Sequence, residues 1–253
     1  MGNRKELALC VCYTGTRGSG KTLTMSAHAF LKMAYMDKKI WSNYPIEGTA
    51  VFPDGSQKYC ASIPLNMESL YVFDKGLAQG IVCIDEVNLW ADSRRSMSVT
   101  NRLMNSILTL IRHRQLSFYF TVQNENWLDS RVRYQIDTMI HCQDLAFRYP
   151  KIEFGNFIQL EARDMSGYNT GYPYAETGRT YIQTMQRGKD YWGCYDTESE
   201  FDVLSTQATK YKVQPNTRTI VVGDDAFDLD NTENNKNKGW GISGPNLNSR
   251  ANQ

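Results

Sequence analysis

The sequence predicts an α/β fold: a mainly parallel central sheet flanked by helices, with a small β-rich appendage toward the C-terminal end. Three observations predict it. Up to about residue 147, short apolar runs rich in strand formers alternate with segments of helical period, the pattern of βα units joined by right-handed crossovers. The run Gly15-Thr16-Arg17-Gly18-Ser19-Gly20-Lys21-Thr22 stands between the first strand and the first helix and fits G-x-x-x-x-G-K-[ST] at every fixed position. A further run, Gly80-Ile81-Val82-Cys83-Ile84, is apolar throughout and ends in Asp85-Glu86, as expected of a strand buried on both faces of a parallel sheet.

Taken in order, Leu7–Thr14 reads as the first strand. Residues 20–36 read as a helix with Ala27, Phe30, Leu31 and Ala34 on one face, and Lys38-Lys39 beyond its end complement the dipole. Ile40–Tyr44 reads as a short strand stopped by Pro45. Residues 46–66 carry Gly48, Pro53, Asp54-Gly55 and Pro64; an irregular insertion is expected there, with a hairpin around Asp54-Gly55. After the Gly80–Ile84 strand, residues 100–113 place Leu103, Met104, Ile107, Leu108 and Ile111 on one helical stripe. Phe118–Val122 is the next strand and ends at Gln123, Asp129–Tyr134 a short helix, and Thr138–Cys142 another strand.

Beyond residue 147 the texture changes. Aromatics and β-formers alternate through Lys151–Arg163 and again through Thr180–Tyr195, which predicts an antiparallel ribbon rather than further βα units. The Asn-, Gly- and Asp-rich stretch from Asp224 to Gln253 has few apolar residues and is expected to be disordered or bound to a partner. The division expected is a core at 1–147, a β-rich appendage at 148–223 and a tail at 224–253.

Composition narrows the function classes. The 253 residues carry a net charge of +1, so any contact with nucleic acid must come from local basic loops rather than a global field. No run of 18 apolar residues occurs, and Met1–Glu6 leads into no secretory h-region; a cytosolic protein without a membrane span is expected. The six cysteines (Cys10, Cys12, Cys60, Cys83, Cys142 and Cys194) include no C-x-x-C pair, so they read as free, buried thiols rather than a zinc site.

The Gly15–Thr22 run implies chemistry because of where it sits. A helix N-terminus offers unpaired N–H groups and a positive dipole end to an anion, and glycines let the backbone curl around a phosphate. Lys21 is placed to reach the β- and γ-phosphates of a nucleoside triphosphate, and the Thr22 hydroxyl to ligate Mg²⁺. The strand ending in Asp85-Glu86 is the Walker B pattern. Asp85 is expected to hold Mg²⁺ through water, and Glu86 to act as general base toward an attacking water.

A glutamate directly after the Mg²⁺ aspartate favours water as the phosphoryl acceptor. It also implies a P-loop NTPase of the additional-strand, RecA/FtsK-like division, in which one strand lies between those carrying the two motifs. Phe118–Val122 is the candidate, which puts Gln123 beside the γ-phosphate as a sensor. Arg112 and Arg114, at the end of the helix before that strand, fall at the sheet edge opposite the nucleotide. From there they reach only a neighbour's nucleotide, as arginine fingers in a ring; Arg131 and Arg133 are the second candidates, and helix-end cations are the alternative reading. Arg94 and Arg95, in a polar loop flanked by Trp90, are candidates for contacts to DNA phosphates.

The series Gly15–Thr22, Ile81–Glu86, Arg112-His113-Arg114, Thr121-Val122-Gln123 and Leu128-Asp129-Ser130-Arg131-Val132-Arg133 resembles the Zot-like ATPases of the FtsK–HerA superfamily. That group includes filamentous-phage assembly proteins and the genome-packaging ATPases of phages and archaeal viruses. The resemblance covers residues 7–144, and Tyr195-Asp196-Thr197 is similar to a Tyr-Asp-Thr element of the group. It implies an ATP- and Mg²⁺-dependent homo-oligomeric ring, a hexamer or pentamer, that moves DNA. It further implies capsid or membrane-vertex proteins as partners, and a place in the host cytoplasm or on the virion. Filamentous-phage members carry a membrane span after the ATPase domain and none is visible here, which favours a packaging motor over an extrusion protein attached through a partner. A nucleotide-dependent scaffold that does not translocate is the reading from another class.

Overall fold

The computed structural model describes residues 8–65, 76–87, 111–165, 180–186, 188–195 and 219–221. The expected helical stripe at Leu103–Leu108 and the stretch from Asp224 onward lie outside them. The strands in chain order are β1 (Cys10–Thr14), β2 (Lys39–Ser42), β3 (Glu47–Val51), β4 (Gln57–Ala61), β5 (Ile63–Pro64), β6 (Gly80–Ile84), β7 (Ser117–Val122), β8 (Thr138–Asp144), β9 (Phe157–Asp164), β10 (Thr180–Gln186) and β11 (Thr219–Val221). Helix α1 spans Lys21–Met36 and α2 spans Ser130–Arg133; single 3-10 turns cover Ile111–Arg114, Glu125–Trp127, Leu145–Phe147 and Gly188–Cys194.

Eight strands form one sheet in the order β10-β9-β8-β1-β7-β6-β2-β5. From β8 to β5 every pairing is parallel. The central strands are buried on both faces, which is why they read as unbroken apolar runs. Their alternation sorts side chains between two cores: Val11, Tyr13, Cys83 and Tyr119 pack on the α1 side, while Cys10, Cys12, Val82, Ile84, Phe118 and Phe120 pack on the other. Strand β7 lies between β1 and β6, as the additional-strand arrangement requires. Thr14 stands opposite Val122, and Ile84 opposite Phe120. One residue further along, the phosphate loop and Asp85 leave their strands, with Thr121 of β7, opposite Tyr13, beside them.

The expected hairpin around Asp54-Gly55 forms: β3 and β4 pair antiparallel from Glu47↔Ala61 to Val51↔Gln57, and β11 adds to β3 in parallel to make a second, three-stranded sheet. This sheet packs against α1 together with the Gly188–Cys194 turn. The one-faced helix read from Ala27, Phe30, Leu31 and Ala34 is thus covered on both sides: every residue from Leu23 to Ala34 is buried. A cation that the sequence did not single out also stands at its C-terminal end. Lys58 on β4 donates from Nζ to the carbonyls of Met33 (2.7 Å) and Ala34 (2.9 Å) and pairs with Asp37. A lysine remote in sequence thereby satisfies the carbonyls that a helix end leaves open.

The antiparallel ribbon expected after residue 147 is β9–β10, paired from Thr180↔Arg163 to Gln186↔Phe157. It does not make a sheet of its own. Strand β9 pairs along the whole of β8, so the ribbon widens the core sheet past β8. The free edge of β8 offered unpaired backbone groups, and the alternating strand that follows it satisfies them. The six cysteines are buried and free, as their placement predicts.

Candidate functional site

The first half of the site is the loop between β1 and α1. Gly20 closes it in a left-handed conformation (φ 88°) and, as the N-cap of α1, brings no side chain to the helix's first N–H groups. Gly15 has φ 142°, and a Cβ there would stand 2.5 Å from both the Cys142 carbonyl oxygen and Ser19 Oγ. The start of the loop thus passes against the β8 backbone and the Ser19 side chain where only glycine fits. Ser19 Oγ is buried and has no hydrogen-bond partner among the described residues. A buried hydroxyl left without a partner is costly unless something else fills the site, and a phosphate oxygen is an acceptor of the right kind. Lys21 is 8% exposed, with its ammonium drawn back across the loop to the Thr16 carbonyl at 2.8 Å. Burial lowers its pKa; Asp85, Cys142 and Glu86 oppose that shift.

The second half is the end of β6. The Thr22 hydroxyl donates to Asp85, 3.0 Å from Oδ1 and 3.2 Å from Oδ2. Thr121 donates to Oδ1 at 2.5 Å, and the Asp85 backbone is held by Asn43, whose Oδ1 accepts the Asp85 N–H at 3.0 Å. Burial raises the Asp85 pKa and Glu86 adds to the rise, while the hydrogen bonds from Thr121 and Thr22 and the charge of Lys21 pull it down. A hydroxyl and a carboxylate at this separation are hard oxygen donors suited to Mg²⁺, so these residues fit the ion the sequence calls for.

Glu86 adopts φ 51°, a left-handed conformation that costs a non-glycine residue about 1–2 kcal/mol. The Thr121 hydroxyl holds it there by accepting the Glu86 N–H at 2.8 Å. Gln123 Nε2 then donates to Glu86 Oε1 at 3.3 Å. Gln123, expected beside the γ-phosphate, thus bonds the Walker B glutamate directly. Sequence reasoning missed roles for Thr121 and Asn43, which bridge the two acidic residues and anchor the strand end. The available signal was a polar residue near the end of an otherwise apolar strand: Thr121 in Ser117–Val122, and Asn43 just after β2.

The arginines are distributed elsewhere. Arg114 lies in the 3-10 turn before β7, and its carbonyl accepts the Gln79 N–H at 3.0 Å just before β6 begins. It stands where these parallel strands start, a sheet's breadth from Asp85 at their ends. Arg112 shares that turn. The helix expected over 100–113 is a 3-10 turn at its described end. Arg131 is exposed on α2, with its N–H capped by Asp129 Oδ1, and Arg133 donates to Asn126 Oδ1 at 3.2 Å. Arg17 is exposed at the loop tip. Trp90, Arg94, Arg95, Asp196 and Thr197 lie outside the described residues. Tyr195 is described: it bridges Ile46 and sets its ring edge-on to Tyr44, with centroids 6.5 Å apart.

No family model matches the chain, and no curated protein sequence matches it. Among solved structures, the chain is similar to the N-terminal domain of zonular occludens toxin from Neisseria meningitidis, at 19% identity and a TM-score of 0.46, over 76% of this chain and 100% of that one. It is also similar to the genome packaging NTPase of Sulfolobus turreted icosahedral virus 2 in complex with sulfate, at 15% identity and a TM-score of 0.44, over 72% and 98% of the two chains. A KaiC-like protein from Pyrococcus horikoshii aligns at 11% identity with a TM-score of 0.43, over 70% of this chain and 84% of that one.

Proposed function

We propose that this chain is an ATP-hydrolysing, DNA-translocating motor that works as a homo-oligomeric ring, with viral genome packaging as its task. The observation that carries the hydrolase reading is the unbroken hydrogen-bond chain Thr22–Asp85–Thr121–Glu86–Gln123 beside a glycine loop whose helix N-terminus carries no side-chain cap. The loop N–H groups and Lys21 bind the phosphates. Thr22 and Asp85 would hold Mg²⁺, which would supply charge neutralisation on the phosphate oxygens. Glu86 accepts the proton of the water that attacks the γ-phosphorus, and the ADP oxygen leaves on the opposite side. Gln123, bonded to Glu86, would orient the water or the γ-phosphate.

The motor reading is supported by the motif series quoted above, including the Arg112-His113-Arg114 turn. Arg114 stands at the opposite end of the strands from its own Asp85, a place consistent with a role in trans toward a neighbouring subunit's nucleotide. Contacts to DNA are assigned to Arg94 and Arg95. The test is phosphate release by the purified chain with and without DNA, run beside a mass measurement of the assembly. A motor hydrolyses ATP faster with DNA and assembles as a ring. Hydrolysis indifferent to DNA contradicts the motor reading and leaves the hydrolase reading standing.

A further inference from the structure

Three aromatic rings stand in the open beside the phosphate loop. Phe147 is 63% exposed, Phe154 46% and Trp192 40%. Phe147 meets Phe154 edge to face with centroids 5.5 Å apart, and Phe154 tilts against Trp192 at 6.5 Å. The cluster abuts the loop directly: a Cβ at Gly18 would lie 3.4 Å from Cζ of Phe154 and 3.5 Å from Cζ of Phe147. Exposed rings clustered in this way mark a binding surface more often than scattered apolar residues do.

The cluster is held in place from beneath. Asp144, fully buried at the end of β8, accepts the Ala146 N–H on Oδ1 (2.9 Å) and the Gly155 N–H on Oδ2 (2.6 Å). One carboxylate thus fixes both turns that carry the phenylalanines. Gly155 has φ 75°, and a Cβ there would run into the Trp192 ring, so the indole rests against bare backbone. Lys189 pairs with Glu153 and lies 5.8 Å over Trp192, which ties the Gly188–Cys194 turn to the same corner. Rings whose supports are buried and hydrogen-bonded lose little freedom on binding a ligand.

We propose that Phe147 and Phe154, backed by Trp192, form the platform on which the purine base of the bound nucleoside triphosphate stacks. The inference rests on the phosphate-site reading above and goes beyond it by assigning the base. A flat heteroaromatic ring tethered to phosphates on Gly15–Thr22 has this surface as its adjoining wall. Stacking on an aromatic face needs no charge, and no cation among the three rings is asked to recognise the base.

The test compares two ligands on the full-length chain with Mg²⁺ present: a non-hydrolysable ATP analogue, and inorganic tripolyphosphate, which has no base. Isothermal titration calorimetry is run on wild type, Phe147→Ala and Phe154→Leu, with thermal melts to confirm folding; Phe147 is exposed enough that its truncation leaves the core intact. Phe147→Ala is expected to weaken the ATP analogue about tenfold while tripolyphosphate stays within about twofold of wild type, and Phe147→Trp to restore the analogue. An unchanged analogue affinity, or an equal loss for both ligands, overturns the platform. A change only in oligomeric state, or only in single-stranded DNA binding, overturns it too and assigns the rings to a second copy or to nucleic-acid bases. If wild type binds neither ligand, the phosphate-site reading itself fails and takes this inference with it. If tripolyphosphate binds and the variants behave as wild type, the platform alone fails.

Discussion

Where β6 and β7 end, Asp85, Glu86, Thr121 and Gln123 are joined by side-chain hydrogen bonds and reach across to Thr22 of the phosphate loop. Where the same strands begin, Gln79 and Arg114 meet through a backbone bond, and Gln79, His113 and Gln115 are exposed. Both ends contain non-glycine residues in the left-handed region: Glu86 at one, Gln79 and Gln115 at the other. At the first end the strained residue is a half-buried glutamate whose N–H Thr121 accepts; at the second the strained residues flank the strand starts. The difference teaches that a parallel pair offers two unlike surfaces. One is assembled within a single chain around a polar web, and the other places Arg114 at the opposite end of the strands from Asp85.

The largest effect expected at the first end is from Lys21→Ala, which removes the cation facing the phosphates. Hydrolysis should fall to background, about a thousandfold or more, and nucleotide binding should weaken in calorimetry. Turnover at the wild-type rate would sink the assignment of this loop. At the second end, Arg112→Ala or Arg114→Ala should leave ATP binding intact and slow hydrolysis by orders of magnitude if the residue acts in trans. Mixing such a variant with Lys21→Ala protein should recover part of the activity, because a mixed ring contains interfaces with both an intact Lys21 and an intact arginine. No rescue by mixing, with Arg131 and Arg133 tried in the same way, breaks the comparison: the second end would then be structural.

A smaller effect is expected at the hinge of the polar web. Thr121→Val keeps the shape but leaves the Glu86 N–H and Asp85 Oδ1 without their shared hydroxyl, at a cost of about 1–3 kcal/mol. We expect kcat to fall about tenfold, the equivalent of about 1.4 kcal/mol, with recovery in Thr121→Ser, measured by steady-state phosphate release. If valine is as active as threonine, the web merely decorates the strand end.

The smallest effect lies away from both ends, in α1. Burial, with Lys32 adding to it, lowers the His28 pKa from 6.5 to about 3, and His28 Nδ1 bonds the Tyr13 hydroxyl at 2.8 Å. The unfolded chain takes up this proton below about pH 6.5 and the folded chain does not, so this contribution to stability is full above that pH and is lost as pH falls toward 3. At pH 5 the loss should be about 2 kcal/mol, read as the difference between urea midpoints at pH 7.5 and 5. His28→Gln should flatten that slope. An unchanged slope would show that His28 titrates normally.

The motif-bearing part of the molecule was legible because its chemistry is local. Gly15–Thr22 and Ile81–Glu86 are contiguous segments whose residue types follow from phosphate and Mg²⁺ binding. The position of β7 between β1 and β6 followed from Glu86 succeeding Asp85. What the sequence withheld depends on contacts distant in the chain. Thr121 acts on Asp85 from 36 residues away, and Asn43 from 42. Lys58 caps α1 from a hairpin that was legible around Asp54-Gly55, but its docking on α1 was not. The second covered side of α1 was hidden because Thr24, Ser26 and His28 are polar yet buried. Ser26 bonds the Tyr44 hydroxyl and His28 the Tyr13 hydroxyl, so polarity there signals internal pairing rather than exposure. The ribbon β9–β10 was legible as a pair, but not its attachment to β8, since strand alternation says nothing about which edge a strand joins.

The most direct test of the central claim, that Glu86 completes a hydrolytic site built on Gly15–Thr22 and Asp85, is a single-turnover measurement on Glu86→Gln. Glutamine preserves the shape and leaves Asp85 and Thr22 untouched, but it accepts no proton. With radiolabelled ATP and Mg²⁺ in the presence of excess protein, the account predicts that nucleotide binds as tightly as to wild type and stays uncleaved, with phosphate release slowed at least about a hundredfold. Release of phosphate from Glu86→Gln at the wild-type rate would contradict it, and would place the base outside the hydrogen-bonded web at the end of β6 and β7.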